Sequence, residues 1–393
     1  MSAPTAAVGA APVVELRVDS IAAGGDGVGR APDGRVVFVP LTAPGDRVRV
    51  RLVETRARYA RGEVEALLEP GPARSEPRCA VFGACGGCSW QHLRYEAQID
   101  AKRAIAREAL RRIGGLRALP PIETIPSPEP YGYRSRARVL AAGGRVGYRR
   151  RRSHAVCAVT QCPLLAPALD RALGALAARP PAEDGEWELA LGEGDRVRCA
   201  PLAAGHGAEP IPLRVDADRI EVSVGVFAQA NAALLDPLAR AVLGAAGYGE
   251  EALELFAGAG SFTLGLARRF ARVTAVEADP AATRDLLRNT AGRHVRVIEA
   301  RVEAWLERGG ADALAPEAIV LDPPRGGLGP GAAARLAALP ARRTAYLSCD
   351  PATLARDVAV LAARGHRLSR LWLFDLFPQT PHVEVLALLE RDG

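Results

Sequence analysis

From about residue 236 onward the sequence alternates short apolar runs with longer helical stretches, and that rhythm leaves few folds open. Leu253–Phe256, Val273–Val276, Val295–Ile298, Ala318–Leu321 and Thr344–Leu347 are the runs. Each is long enough for a buried strand and too short for a helix. Strands separated by helices pair in parallel, because a crossover helix must carry the chain back to the same end of the sheet. The spacing predicts an α/β domain over 236–393 with a doubly wound sheet and ligands at the carboxyl ends of its strands.

The preceding residues read differently. At 393 residues the chain is too long for one ordinary domain. Alternating runs between turn clusters at Gly24–Gly27 and Ala43–Asp46 predict about five short strands over 13–70, in a small barrel ended by Pro70-Gly71-Pro72. Residues 1–12, rich in Ala and Pro, read as a flexible tail without the basic start of a secretion signal. A cysteine-rich segment and a helix with Ile99, Ala106, Leu110 and Ile113 on one face lead into mostly strand-and-turn sequence, so 75–235 is expected to be a central β domain. No apolar run reaches the ~18 residues of a membrane span, and the expected location is the cytoplasm. The net charge of +6 suits an anionic partner. Lys102 is the only lysine, however, and an arginine bias from GC-rich codons would give such a balance without functional cause.

Three segments carry chemistry. Gly258 and Gly260, in Leu255–Phe262, allow a tight turn between strand and helix where a nucleotide-like ligand can approach, and Glu277 ends the next strand where a carboxylate can meet ribose hydroxyls. Leu321-Asp322-Pro323-Pro324-Arg325 fixes an acid at the end of the fourth strand; a dehydrogenase has no use for this element. Cys349 follows the fifth strand directly, where a thiolate can serve as nucleophile, and Glu384 lies just inside a last strand.

With Phe227-Ala228-Gln229-Ala230-Asn231, Ser348–Asp357 and Phe377–Glu384, these segments resemble the RNA uracil-C5 methyltransferase family over nearly the whole chain. The resemblance implies a Rossmann-like class I methyltransferase domain, an OB-like TRAM barrel that binds RNA, and a central domain with an iron–sulfur site. It makes Cys349 the nucleophile and Glu384 the base. Gln229, Phe256, Ser261, Glu277 and Asp322 would contact S-adenosylmethionine. Two departures stand out: Asp350 replaces the family's usual Asn beside the nucleophile, where its charge would oppose a thiolate unless Arg325 or Arg343 offsets it, and Arg301 falls where some relatives carry an Asn.

Cys79, Cys85 and Cys88 are spaced C-x5-C-x2-C, and Cys162-Pro163 lies far downstream. Four thiolates suit zinc or a [4Fe-4S] cluster; the three-plus-one distribution and the resemblance both favour iron–sulfur. The family pattern prefers Cys162 to Cys157 as the fourth ligand, and Cys199 is expected to serve packing. Arg134, Arg136 and Arg138 alternate along one strand, followed by Arg149–Arg152 with no acid between Arg134 and Arg152; a face for RNA phosphates is expected there, with Tyr131, Tyr133 and Tyr148 for stacking. The resemblance points to 23S ribosomal RNA as substrate, with the transfer-RNA T-loop second; a monomer is expected. The competing classes are a non-catalytic RNA-binding protein and an N-methyltransferase. The first has no need of both Cys349 and Glu384; the second normally carries an aromatic where Arg325 stands.

Overall fold

The computed structural model describes residues 12–203 and 209–391. The expected tail at 1–12 lies outside the described residues but for Pro12. The chain divides into two compact units: one takes in 12–83 with Cys88–Ala101 and Gln379–Pro381, the other Ala84–Gly87, Lys102–Pro378 and the stretch from His382.

In the first unit, β1 (Val13–Ile21), β2 (Gly27–Arg30), β3 (Val36–Val39), β4 (Arg47–Thr55) and β5 (Tyr59–Glu69) close into the expected barrel, in the order β1-β2-β3-β5-β4. Alternation places Leu16, Val18, Val37, Val39, Val48 and Val50 inside. Asp46 ties the following turn down, accepting from Gly71 N at 2.8 Å, Ala43 N at 2.7 Å and the Arg74 guanidinium at 2.5 Å. Burial pushes its carboxyl up, but these donors outweigh that and hold it below the usual range. Trp90, wholly buried, donates to Gly25 O at 3.0 Å.

Helix α1 (Tyr95–Arg112) buries Ile99, Ala106 and Leu110 as expected, while Ile113 lies beyond its end and is exposed. Then come β6 (Ile122–Ile125), β7 (Arg136–Ala142), β8 (Arg145–Arg149), β9 (Val156–Ala158), α2 (Pro167–Ala178), β10 (Gly185–Leu191), β11 (Val197–Pro201), β12 (Ile211–Val215) and β13 (Asp218–Val222). Five of these form an antiparallel sheet, β11-β10-β7-β8-β9.

The last part runs α3 (Ala232–Ala246), β14 (Gly249–Leu255), α4 (Thr263–Ala267), β15 (Phe270–Glu277), α5 (Pro280–Asn289), β16 (Val295–Glu299), α6 (Val302–Glu307), β17 (Ala318–Leu321), α7 (Gly329–Leu336), β18 (Arg343–Ser348), α8 (Pro351–Ala362), β19 (His366–Phe374) and β20 (Glu384–Arg391). The five apolar runs are β14 to β18. Their sheet is ordered β16-β15-β14-β17-β18-β20-β19-β6, parallel through β18, with β20 antiparallel between β18 and β19. A cut at residue 235 does not describe this packing. β6 extends the sheet alongside β19, and Ile211, Leu213, Val215, Ile220 and Val222 of the β12–β13 hairpin share the apolar core of α3 and the sheet. Strand type is legible locally; which sheet a short strand joins is set by distant partners.

Candidate active site

The order of the strands gathers the chemistry. β14 and β17 are neighbours on which the chain winds in opposite directions, so their carboxyl ends open a crevice. After β14, Phe256 takes a positive φ of 61° and Gly258 one of 57°, and a Cβ on Gly258 would meet nothing within 4 Å. The loop therefore faces open space. Glu277 ends β15 and accepts from Gly258 N at 2.8 Å, Ala278 N at 2.7 Å and Asp279 N at 2.8 Å, which fixes its carboxylate beside the glycine loop. Gln229 lies in the segment leading to α3, is 8% exposed, and its Oε1 has no hydrogen-bond partner among the described residues. A buried amide oxygen left without a donor suits an amine or hydroxyl of a ligand. The residues expected to hold S-adenosylmethionine thus fit such a group: a fixed carboxylate, a bare glycine turn and an unsatisfied amide.

One strand further, Asp322 follows β17, and its backbone N donates to Leu255 O at 3.4 Å. Cys349 follows β18. Because β18 and β20 are antiparallel with Ser348 opposite Val385, the next residues outward are Cys349 and Glu384, so sulfur and carboxylate meet at one sheet edge. Burial pushes Glu384 well above the usual carboxyl range; Asp322 pushes it further and Lys102 pulls it back. Burial also pushes Asp322 up to about 7. The Cys349 thiol is pushed up to about 11, first by burial, then by Glu384 and Asp322, with Arg325 acting the other way.

The Asp350 departure resolves locally. Its carboxylate caps α8, accepting from Ala352 N at 2.9 Å and Thr353 N at 3.0 Å. The acids that act on Cys349 are Glu384 and Asp322, and the compensating cation is Arg325. Arg343, the other cation considered, stands at the far end of β18 opposite Glu390. Asp357, at the end of the same motif, is buried and accepts from Leu328 N at 2.8 Å and the Tyr346 hydroxyl at 2.8 Å. It thereby anchors the loop that follows Asp322.

The arginine face requires correction. Arg136 is 6% exposed, its guanidinium 2.7 Å from Glu188 Oε1, while Arg198 reaches Glu188 Oε2 at 2.5 Å. Arg136 also donates to Val226 O at 3.1 Å, and Arg138 to Gly225 O at 3.0 Å. Both arginines hold the turn ahead of Gln229. The alternation is real, but Arg136 is buried against the turn at Val226 while Arg138 stays exposed, a split the sequence spacing does not reveal. Arg134 is half-buried and donates to Arg136 O at 2.8 Å. Tyr133 is buried, its hydroxyl donating to Pro378 O at 3.0 Å, so it offers no stacking face. Arg149, Arg150 and Arg152 are exposed, and with Arg151, His154, Gly86, Gly87 and Tyr148 they line an open cavity of about 590 Å³.

No disulfide joins the seven cysteines, and Cys199, expected to serve packing, is exposed. Sulfur acceptors are already served: Gly87 N donates to Cys85 Sγ at 3.4 Å, and Gln91 Nε2 to Cys88 Sγ at 3.0 Å. Cys162 accepts from the amides of Leu164 and Leu165, though burial still raises its pKa. This donor chemistry suits thiolates. Among the described residues, however, no three His, Cys, Asp or Glu side chains are grouped as a metal would need.

Residues 219–392 match the family model described as tRNA (Uracil-5-)-methyltransferase, and 12–64 match the TRAM domain. A 23S rRNA (uracil(1939)-C(5))-methyltransferase RlmD from Chromohalobacter salexigens is 36% identical, over 96% of this chain and 89% of that protein. The chain belongs to the RNA uracil-C5 methyltransferase family. An uncharacterized RNA methyltransferase from Thermosynechococcus vestitus is 33% identical over 96% of this chain and 97% of its own length. Among solved structures, the Pyrococcus abyssi tRNA (uracil-54, C5)-methyltransferase in complex with S-adenosyl-L-homocysteine superposes with a TM-score of 0.73 at 23% identity, covering 95% of this chain and 100% of that one. That likeness supports the family's methyltransferase fold.

Two residues that the motifs did not single out also belong to the site. Lys102 and Asp375 are both wholly buried and 2.5 Å apart. The signal for Lys102 lay in composition, as a solitary lysine among arginines. Glu254, inside β14, is a further buried acid, pushed up to about 8 chiefly by burial; nothing in the sequence marks it.

Proposed function

We propose that this protein methylates carbon 5 of a uridine in 23S ribosomal RNA, using S-adenosylmethionine and a transient bond between Cys349 and carbon 6 of the base. The observation that carries this is the pairing of Cys349 with Glu384 at the sheet edge that also holds Asp322 and the glycine loop. Carbon 5 of uracil is a poor nucleophile. Addition of the Cys349 thiolate at carbon 6 pushes electrons toward carbon 5 as an enolate. Gln229, Phe256, Ser261, Glu277 and Asp322 would hold S-adenosylmethionine, which would supply the electrophilic methyl group for carbon 5. Glu384 then removes the remaining proton from carbon 5; the electrons of that C–H bond restore the double bond and expel the thiolate. The base must leave its stack to reach Cys349, so the target is a flipped uridine in a loop.

The RNA face is proposed at the barrel and at the cavity of Arg149–Arg152, with Arg134 and Arg138 at its margin. Cys79, Cys85, Cys88 and Cys162 are proposed as [4Fe-4S] ligands on their spacing and donor chemistry, with a structural role and no catalytic step. Anaerobic purification tests this: a brown protein with iron and sulfide is expected, and bound zinc without colour would reject it. The working state is taken to be a cytoplasmic monomer; no helix among the described residues is long and apolar enough to cross a membrane.

RNA containing 5-fluorouridine tests the chemistry, because fluorine cannot be removed as a proton and the adduct persists. Incubated with the cofactor, the 23S transcript should yield a protein–RNA complex that survives denaturation. A complex with transfer RNA alone would move the substrate to the T-loop, the reading favoured by the family model's description. No complex with either RNA would leave a binding protein.

A further inference from the structure

The chain carries 51 basic side chains, and Lys102 is the only lysine among them. It lies not on the surface but inside the wall of the active site, with none of its side chain exposed. Its Nζ donates to Asp375 Oδ1 at 2.5 Å and to Phe377 O at 2.9 Å. Both acceptors sit just beyond β19, which is paired with β20 so that Phe374 faces Glu384. A long, slim ammonium can be threaded into such a space and held by two acceptors, whereas a guanidinium is broader and planar. A sequence that otherwise uses arginine for every positive charge thus departs from its habit at one buried point beside the proposed base.

We propose that Lys102 is a positioning residue of the reaction: anchored by Asp375 and the Phe377 carbonyl, its ammonium keeps Glu384 in the carboxylate form that accepts the carbon-5 proton. This rests on the methyltransferase reading and deepens it. Glu384 stands in a carboxyl-rich, buried place that favours its protonated form, and a protonated Glu384 cannot take a proton. The groups around it are Asp322 after β17, Cys349 after β18, Asp375 after β19 and Lys102 on α1, with Arg325 and His382 beyond. Burial and Asp322 oppose ionisation of Glu384, and the influence of Lys102 runs the other way. The reciprocal effect is present too: burial lowers the pKa of the ammonium, and Asp375 and then Glu384 offset part of that. The ion pair with Asp375 and the bond to Phe377 O hold the ammonium in place beside the strand end that faces Glu384.

The test compares wild type with Lys102→Met. If the single variant does not fold, Lys102→Met/Asp375→Asn removes both buried charges and keeps the volumes. Two readouts are taken on the full-length protein. The first needs no turnover: the infrared carbonyl band of protonated Glu384, identified by its absence in Glu384→Gln, is titrated with pH. Its midpoint should rise by about one pH unit or more without the ammonium. The second uses a 23S transcript and S-adenosylmethionine: the variant should lose turnover about tenfold near neutral pH with little change in KM, accumulate covalent protein–RNA complex on ordinary RNA, and recover as the pH is raised. An unmoved carbonyl midpoint would overturn the proposal. So would a pH–rate profile that overlays wild type. Should wild type form no adduct even with 5-fluorouridine RNA, the methyltransferase reading fails, and the infrared midpoint still decides whether Lys102 governs Glu384.

Discussion

Cys349 at rest is a poor nucleophile: with its thiol pushed up to about 11, about one molecule in ten thousand carries the thiolate at pH 7. The carboxyls around it are part of the cause, so neutralising one should free the sulfur. Asp322→Asn is expected to lower the thiol's pKa and to speed iodoacetamide alkylation of Cys349 severalfold at pH 8, read by mass spectrometry of its peptide, while methylation falls with loss of the proposed cofactor contact. Unchanged alkylation would mean that Asp322 does not act on the sulfur. Cys349→Ala should abolish both methyl incorporation and adduct, and Glu384→Gln should leave adduct on ordinary RNA. Cys349 and Glu384 were proposed from motifs that resemble the family's, each at a strand end. Lys102 was visible only as an oddity of composition, since its partners Asp375 and Phe377 lie more than 270 residues away.

Among the elements, the β7 arginines and the loop after β17 show how the fold spends charge and glycine on positioning. Arg136→Met strips Glu188 of one of its two buried partners and frees the turn at Val226, which leads to Gln229. The expected cost is ~3 kcal/mol of stability, read as a lower melting temperature, together with weaker cofactor binding. The salt dependence of RNA binding should not change, because Arg136 meets no phosphate; a reduced slope would restore it to the RNA face. Gly327→Ala should be severe for a different reason. Its φ is +66°, and a Cβ there would stand 2.5 Å from Asp357 Oδ2, the atom that fixes the loop after Asp322. Loss of activity with the overall fold retained by circular dichroism is the expected result.

For the whole molecule, the buried acids set a pH trend. Glu254 is pushed up to about 8 and Asp322 to about 7, so between the ordinary carboxyl range and those values the folded protein holds protons that the unfolded chain has released. Stability from these groups is therefore greatest at low pH and is lost as pH rises through 7 and 8, by up to ~1.4 kcal/mol per pH unit for each group. Thermal unfolding followed from pH 5.5 to 8.5 should show a falling midpoint in wild type and a shallower fall in Glu254→Gln; parallel curves would deny Glu254 its raised pKa. Replacing Arg150 and Arg152 with Ala should reduce the salt slope of RNA affinity by about two, one for each lost phosphate contact; an unaltered slope would remove that cavity from the interface.

Local pattern alone was enough for the barrel and the five parallel strands, while the roles proposed for Cys349 and Glu384 rest on the resemblance of their motifs to the family. Apolar run length, turn glycines and proline stops are short-range signals, and a strand's carboxyl end follows from its place in a strand–helix repeat. Tertiary structure decided which cations are free and which are buried, and which short strands join the large sheet. It also decided what surrounds Glu384. Those outcomes depend on the burial of one side chain by another distant in sequence: Val226 over Arg136, Asp375 on Lys102, β20 inserted between β18 and β19. The energy of a charge is fixed by its surroundings, and no stretch of sequence contains the surroundings it will have.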